Sequence, residues 1–253
     1  MPRLSAIVIT LNEAANIGDC LDSVAFCNER IVLDSGSTDD TCAIARQHGA
    51  RVEHQDWLGY GRQKNAALEL ATGDWMLSID ADERIPAQLA AEIALAVEKG
   101  AYDGYEMPRL SRFLGKPMRY SGWYPDYQLR LFRRGKARFS DDAVHERVIL
   151  DGTRGRLKTH IDHMTTGSLE AAIGKADRYS TLSAERIAAS DRRVRFWEGV
   201  THGAWSFIRA YFLKLGFLDG KEGFLIAVLN AEGSYYRYMK AWLIQRQKLR
   251  LKS

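Results

Sequence analysis

The chain has 253 residues, 46% of them hydrophobic, and a formal net charge of +4. It is long and apolar enough for one large domain, or one domain with an extension, and too weakly charged for nucleic-acid binding by bulk electrostatics. Three cysteines, Cys20, Cys27 and Cys42, lack the paired spacing of a zinc site and suggest a reducing compartment. The run Ala6–Ile9 turns polar too soon for a signal sequence, and Arg209, Lys214, Asp219 and Lys221 interrupt the most apolar carboxy-terminal stretch. A cytosolic protein, at most membrane-associated, is expected.

In chain order, Leu4 to Thr10 reads as a strand that ends in the polar group Thr10, Asn12 and Glu13. Ile17, Leu21, Val24 and Ala25 recur at helical spacing, and Arg30 to Leu33 forms a second strand closed by Asp34-Ser35-Gly36-Ser37-Thr38-Asp39-Asp40. A helix ending at Gly49, a strand at 51–53 and a helix from Gly61 to Ala71 follow. The strand Trp75 to Ile79 then delivers Asp80-Ala81-Asp82-Glu83. Pro86 just inside its start and Gly100 just past its end bracket a further helix carrying Leu89, Ile93, Ala96 and Val97 on one face.

Strand alternating with helix in this way predicts right-handed crossovers and a mostly parallel sheet, with ligands outside the carboxyl ends of the strands. Thr10–Glu13, Asp34 and Asp80–Asp82 would then share one rim. A period of two also places Asp80 and Asp82 on one face, where two carboxylates can hold a divalent cation or can simply be a solvated strand end with a helix cap. From Tyr102 to His163 the pattern becomes short, aromatic and strand-like (104–108, 128–132, 148–150), an antiparallel or mixed extension of the sheet. Beyond Ser168 it is helical: a segment to about Ser190, then Val200 to Leu215 and Gly223 to Arg246. The boundary falls near Thr165 to Ser168.

Together Ile7-Val8-Ile9-Thr10-Leu11-Asn12-Glu13, Val32-Leu33-Asp34-Ser35-Gly36-Ser37-Thr38-Asp39, Lys64-Asn65-Ala66-Ala67, Ala71-Thr72-Gly73-Asp74-Trp75 and Asp80-Ala81-Asp82-Glu83 are similar to the family 2 inverting glycosyltransferases of the GT-A fold. Trp123 to Phe132, Val144-His145-Glu146 and Asp219-Gly220-Lys221-Glu222-Gly223 resemble in particular the bacterial lipopolysaccharide core glucosyltransferases. The resemblance implies an α/β GT-A catalytic domain over 1–165, with a nucleotide-sugar half at 1–100 and an acceptor half at 101–165. A helical, basic extension at 166–253 would follow.

It also implies transfer of a hexose, glucose in that subgroup, from a UDP-sugar to an inner-core heptose or similar lipid-linked glycan, with Mg2+ or Mn2+ as cofactor. Asp82 and His163 would hold the metal, with His160 as the fallback histidine, and Asp80 would contact the ribose. Asp34 would accept from the uracil N–H, Thr10, Asn12 and Glu13 would line base and ribose, and Lys64 would lie near the nucleotide. Many members of the family carry an acidic residue where this chain has Ser35. Inversion by a single displacement needs one general base at the acceptor hydroxyl; Glu146 falls where the family places its catalytic acidic residue and would be that base, with Asp126 and Asp142 as rivals, and His145 would orient Glu146 or the acceptor. Trp123, Tyr124 and Tyr127 can stack on sugars or form an ordinary strand face, and Arg130 can pair with an acidic group on the acceptor.

The last helix carries Tyr235, Tyr238, Met239 and Trp242 at helical spacing, with six basic and no acidic residues from Tyr236 to Ser253. It is expected either to lie on the anionic cytoplasmic face of the inner membrane or to pack on the protein. Three other readings remain. One is a glycosyltransferase for another acceptor, such as a lipid carrier, protein or capsule glycan. Another is nucleotidyl transfer, against which Leu11-Asn12-Glu13-Ala14-Ala15 offers no glycine-rich basic loop. The last is a membrane- or nucleic-acid-binding module with a relic nucleotide pocket.

Overall fold

The first apolar run, Leu4–Thr10, is strand β1, and all but one of its seven residues are buried. Burial on both faces is what a parallel strand between two helical layers requires. Side chains divide with a period of two. Ala6 and Val8 enter one core cluster with Leu21, Val32, Leu77, Leu89 and Ile93, while Ile7 enters another with Ile31, Leu33, Ala67 and Met76. The computed structural model describes residues 2–141, 147–190 and 192–250. It divides into two units, Met1–Leu110 with Asp126–His163, and Ser111–Pro125 with Met164–Ser253.

In the first unit β1 is followed by α1 (Ile17–Ser23), β2 (Glu29–Asp34), α2 (Thr41–Gln47), β3 (Arg51–His54), α3 (Tyr60–Leu70), β4 (Trp75–Ser78), β5 (Glu83–Arg84) and α4 (Ala87–Lys99). The chain continues through β6 (Gly104–Phe113), β7 (Lys116–Pro117), β8 (Asp126–Arg133), β9 (Ala137–Phe139), β10 (Val148–Leu150), β11 (Arg154–Arg156) and β12 (Ile161–Thr166). The sheet order is β3-β2-β1-β4-β8-β6-β12-β5, parallel from β3 to β4 and antiparallel where β8 meets β4 and β6. Pro86 stands just outside α4, at its N-cap, rather than just inside, and Gly100 closes the helix in the left-handed conformation.

Helix α3 approaches β9 closely. A Cβ on Gly61 would lie 1.9 Å from the Ser140 carbonyl oxygen, so only glycine fits there. One turn on, the Asn65 side chain donates to the Phe139 carbonyl at 2.9 Å and accepts from the Phe139 N–H at 2.8 Å. The neighbouring residues of Lys64-Asn65 therefore divide their work, Asn65 docking the helix and Lys64 facing the carboxyl ends of the strands.

The second unit contains β7 together with α5 (Leu169–Ala189), α6 (Phe196–Ile208) and α7 (Gly220–Arg250). The helix expected from about Val200 to Leu215 runs as α6 directly into a π-helical turn at Arg209–Leu213; Leu215, left-handed with φ 54°, follows its end, and a 3-10 turn at Gly216–Asp219 leads into α7. The aromatic stripe of α7 has protein partners. Tyr238 and Met239 are buried, Tyr238 stacks on His202 at 4.2 Å between centroids, and a Cβ on Gly199 would meet the Met239 methyl at 2.6 Å. Lys240 bonds Asp177, Ser180 and Thr181 of α5. The face that the sequence allowed to be lipid-facing is thus a packed helix interface.

Asn65→Ala leaves a buried N–H and C=O of Phe139 unpaired, and about 1–3 kcal/mol of stability should be lost in urea unfolding. An unchanged midpoint and slope would show that Asn65 does not dock α3.

Candidate active site

Parallel pairing of β1 and β2 sets Thr10 opposite Asp34, and the Thr10 hydroxyl donates to Asp34 Oδ1 at 3.0 Å. The same carboxylate accepts from the Ser37 hydroxyl at 2.5 Å and from the Gly36 and Ser37 N–H groups at 2.9 and 2.8 Å. These four bonds fill the roughly four lone-pair positions of a carboxylate. Burial opposes the charge of Asp34, but the bonds from Ser37, Gly36 and Thr10 outweigh it and hold the group below the usual carboxylate range. Asn12, in the left-handed region with φ 56°, accepts from the Thr38 N–H at 2.9 Å and donates its own N–H to the Ser37 hydroxyl at 2.8 Å. The Glu13 N–H reaches the Thr41 hydroxyl at 2.8 Å. Thr10, Asn12, Glu13 and Asp34 therefore lie in one cross-bonded rim of two loops.

The end of β4 is built by charge. Lys64 Nζ lies 3.0 Å from Asp80 Oδ1, Arg130 Nη2 lies 2.5 Å from Asp80 Oδ2, and the same Nη2 lies 2.6 Å from Glu83 Oε1. The other Glu83 oxygen accepts the Asp80 N–H at 3.0 Å. Arg109 continues the chain, 3.5 Å from Glu83 and 2.7 Å from Asp126, whose second oxygen accepts from Gln128 at 2.8 Å. Lys64 and Arg130 are each 5% exposed and Glu83 is 0% exposed. Desolvation would raise the Asp80 carboxyl, but Arg130 and Lys64 beside it hold it far below the ordinary range, and Asp80 and Glu83 push Arg130 upward against its own burial.

Arg130 thus has its Nη2 engaged by two carboxylates of the protein itself, Asp80 and Glu83. Sequence alone does not mark Glu83 or Arg109 as site residues: Glu83 ends the Asp-Ala-Asp-Glu run, and Arg109 carries no signal apart from its place on a strand.

Antiparallel pairing of β12 with β5, His163 opposite Glu83, brings the late histidine to the same segment. His163 Nε2 lies 3.2 Å from Asp82 Oδ2. His160 instead sits 3.7 Å from Asp162. Two ligands at about 2.1 Å from one octahedral cation are about 3 Å apart, so the Asp82–His163 pair suits neighbouring positions on a hard divalent ion. Among the described residues no group of three or more His, Cys, Asp or Glu side chains is gathered for a metal, so the remaining ligands would come from substrate and solvent.

A cleft of about 780 Å³ opens beside these groups, lined by Lys64, Asp80, Glu106, Arg109, Tyr127, Gln128, Arg130, Arg147 and Arg154 among others. Of the three candidate stacking aromatics, Tyr127 lines it, 42% exposed and with the Arg156 guanidinium 4.4 Å from its ring centroid. Trp123 packs edge-on against Phe113 at 6.1 Å, and Tyr124 lies 6.0 Å from the Arg119 guanidinium, both within the second unit. Glu146, Asp142 and His145 lie outside the described residues. Asp126, the remaining rival for the base, has both oxygens engaged by Arg109 and Gln128.

Thr10, Asp34 and Asp80 at or just past the ends of the first, second and fourth strands stand where open α/β sheets bind their ligands, and Asp80 also lines the cationic cleft. The family model "Glycosyl transferase family 2" matches residues 5–150, and the chain belongs to that family. It is 32% identical over 252 residues, 93% of each chain, to the lipopolysaccharide core biosynthesis glycosyltransferase LpsC of Rhizobium meliloti. An uncharacterized glycosyltransferase of Rickettsia felis is 31% identical, with 95% of this chain and 89% of that one covered. Staphylococcus aureus TarS, solved in complex with UDP-GlcNAc, shares the GT-A-like fold at a TM-score of 0.50 and 15% identity, covering 98% of this chain and 92% of that one.

Removing one partner of the Arg130 group strands a buried charge. Arg130→Met should cost about 3–5 kcal/mol, and Arg130→Met with Glu83→Leu and Asp80→Asn should recover most of it. Chemical unfolding of both variants measures this, and equal losses would contradict the pairing. Because the folded-state pKa values of Asp80 and Asp34 are depressed, their stabilisation is complete above the unfolded value of about 3.9 and declines as pH falls below it.

Proposed function

We propose that this family 2 enzyme is an inverting, metal-dependent hexosyltransferase. It moves glucose from UDP-glucose to a heptose of the lipopolysaccharide inner core, or to a similar lipid-linked glycan, at the cytoplasmic face of the inner membrane. The observation that carries the reading is the Asp82–His163 pair, set beside the Lys64–Asp80–Arg130 group where the parallel strands end. The near full-length match to LpsC supports the acceptor class.

Thr10, Asn12, Glu13 and Asp34 bind base and ribose. Asp34 accepts the uracil N–H by giving up its bond from the Ser37 hydroxyl, the partner free to rotate away. Asp80 keeps an acceptor position on each oxygen beyond its contacts with Lys64 and Arg130, and it takes a ribose hydroxyl. Asp82 and His163 hold Mg2+ or Mn2+, which when bound supplies positive charge to the departing diphosphate. Lys64 adds to that charge, and the Arg130 Nε, a buried donor with no partner among the described residues, is suited to an anion in the same cleft.

In the transfer itself the acceptor hydroxyl oxygen forms a bond to the anomeric carbon as the carbon–oxygen bond to the diphosphate breaks on the opposite face. The hydroxyl proton passes to the Glu146 carboxylate, and UDP leaves with the bonding electron pair.

Glu146→Gln should leave UDP binding intact and lower turnover by about two orders of magnitude or more; near-normal turnover would transfer the role to Asp126 or Asp142. Asp82→Ala should abolish the manganese-dependent part of UDP binding in calorimetry. Unchanged titrations would remove the metal from Asp82. Release of UDP from UDP-glucose above all other UDP-sugars, in a donor screen, tests the choice of sugar.

A further inference from the structure

The connection between α6 and α7 turns its apolar side chains outward. Ile208, Phe212, Leu213, Leu215, Phe217 and Leu218 are each 43–61% exposed within eleven consecutive residues. Leu215 holds this position at a φ of 54°, where glycine is at ease and a bulky side chain is disfavoured. Hydrophobic residues scattered singly over a surface need no explanation, but a contiguous group of this size does.

The charges of the same segment have one sign. Arg209, Lys214 and Lys221 are exposed, and the single acid among residues 208–221, Asp219, is 3% exposed and turned inward, accepting the N–H groups of Arg119 and Tyr120 at 3.1 and 2.9 Å. Tyr211, Gly220, Lys221, Phe224 and Leu225 line an apolar groove of about 600 Å³ with the Lys221 amine at hand. The helices of the described residues include none long and apolar enough to cross a membrane.

From this apolar tip with cations and no exposed carboxylate, we infer that residues 208–221 insert shallowly into the headgroup region of an anionic phospholipid leaflet, their leucines and phenylalanines among the acyl chains and their cations on lipid phosphates. A second copy of the chain fits less well, because a two-fold contact would set cation against cation. The inference rests on the membrane-surface part of the proposed function and assigns it to this tip rather than to the basic end of α7, whose Tyr238 and Met239 are packed inside the protein.

The test is sedimentation of the full-length protein with vesicles of phosphatidylcholine, with and without phosphatidylglycerol. The wild-type protein should bind the anionic vesicles. Phe212→Ser/Leu213→Ser/Leu218→Ser should lower the partition coefficient more than about tenfold, and Arg209→Gln/Lys214→Gln should lower it about fivefold per charge. Arg246→Gln/Lys248→Gln should leave it unchanged. The substituted side chains are exposed, so a cooperative thermal transition confirms folding, and the charge variant gives a second reading if the serine variant fails that check.

Wild-type binding by the folded serine variant, loss of binding through the Arg246/Lys248 variant alone, or a vesicle-inert wild type whose dimer the serine variant dissolves would each overturn the inference. UDP release measured without lipid separates the two readings. Its absence in the wild-type protein counts against the glycosyltransferase proposal, whereas the vesicle result bears on the tip.

Discussion

One guanidinium organises the site. Arg130 of β8 sits at a register shift against β6, between Leu131 opposite Tyr105 and Leu129 opposite Glu106, and lies 5% exposed between Asp80 and Glu83. Burying a charge in this way is tolerable only with close partners, because the desolvation cost of the ion is several kcal/mol. The two carboxylates and the guanidinium therefore fix one another, and the turn after β4 has one arrangement available. Pairing with Arg130 and bonding of the Asp80 N–H to Glu83 together hold the segment 80–83 in shape. Asp82, which has neither contact, faces His163 instead.

The same economy runs along the rim. Lys64 reaches Asp80 because α3 is seated on β9 by Asn65 and by the close approach of Gly61. Asp34 stays charged because four donors converge on it, and those donors come from the two loops that must be held together to form a nucleotide pocket. Groups that would be costly if left unpaired are satisfied by one another, so the cleft is preorganised with little freedom to lose on binding.

The parallel half of the fold was readable in the sequence because its determinants are local. Strand runs such as Ala6–Ile9 and Val32–Leu33, and the Gly100 stop, announce themselves over a few residues. The gathering of Thr10, Asp34 and Asp80–Asp82 at strand ends follows from topology. Arg130 and His163 were less readable, since their partners lie 47–50 and 81 residues away and the pairings depend on how the antiparallel strands return to the sheet. Alternation of Arg130 with Leu129 and Leu131 suggests that it points away from a face shared by the leucines, but a register shift at Arg130 breaks that alternation. In the helical part, periodicity marked Val200 to Leu215 as one helix, which runs to Leu213, but it could not foresee the π-helical turn in its last five residues or the left-handed Leu215 beyond them.

With Asp80 and Glu83 held by Arg130, Asp82 beside His163 is the end of the site proposed to take the cation. Diffraction at the manganese edge from crystals grown with UDP and manganese would locate that ion. An anomalous peak in contact with both Asp82 and His163 and adjoining the diphosphate is expected. A peak bound to neither residue, with UDP seated at the same strand ends, would contradict it.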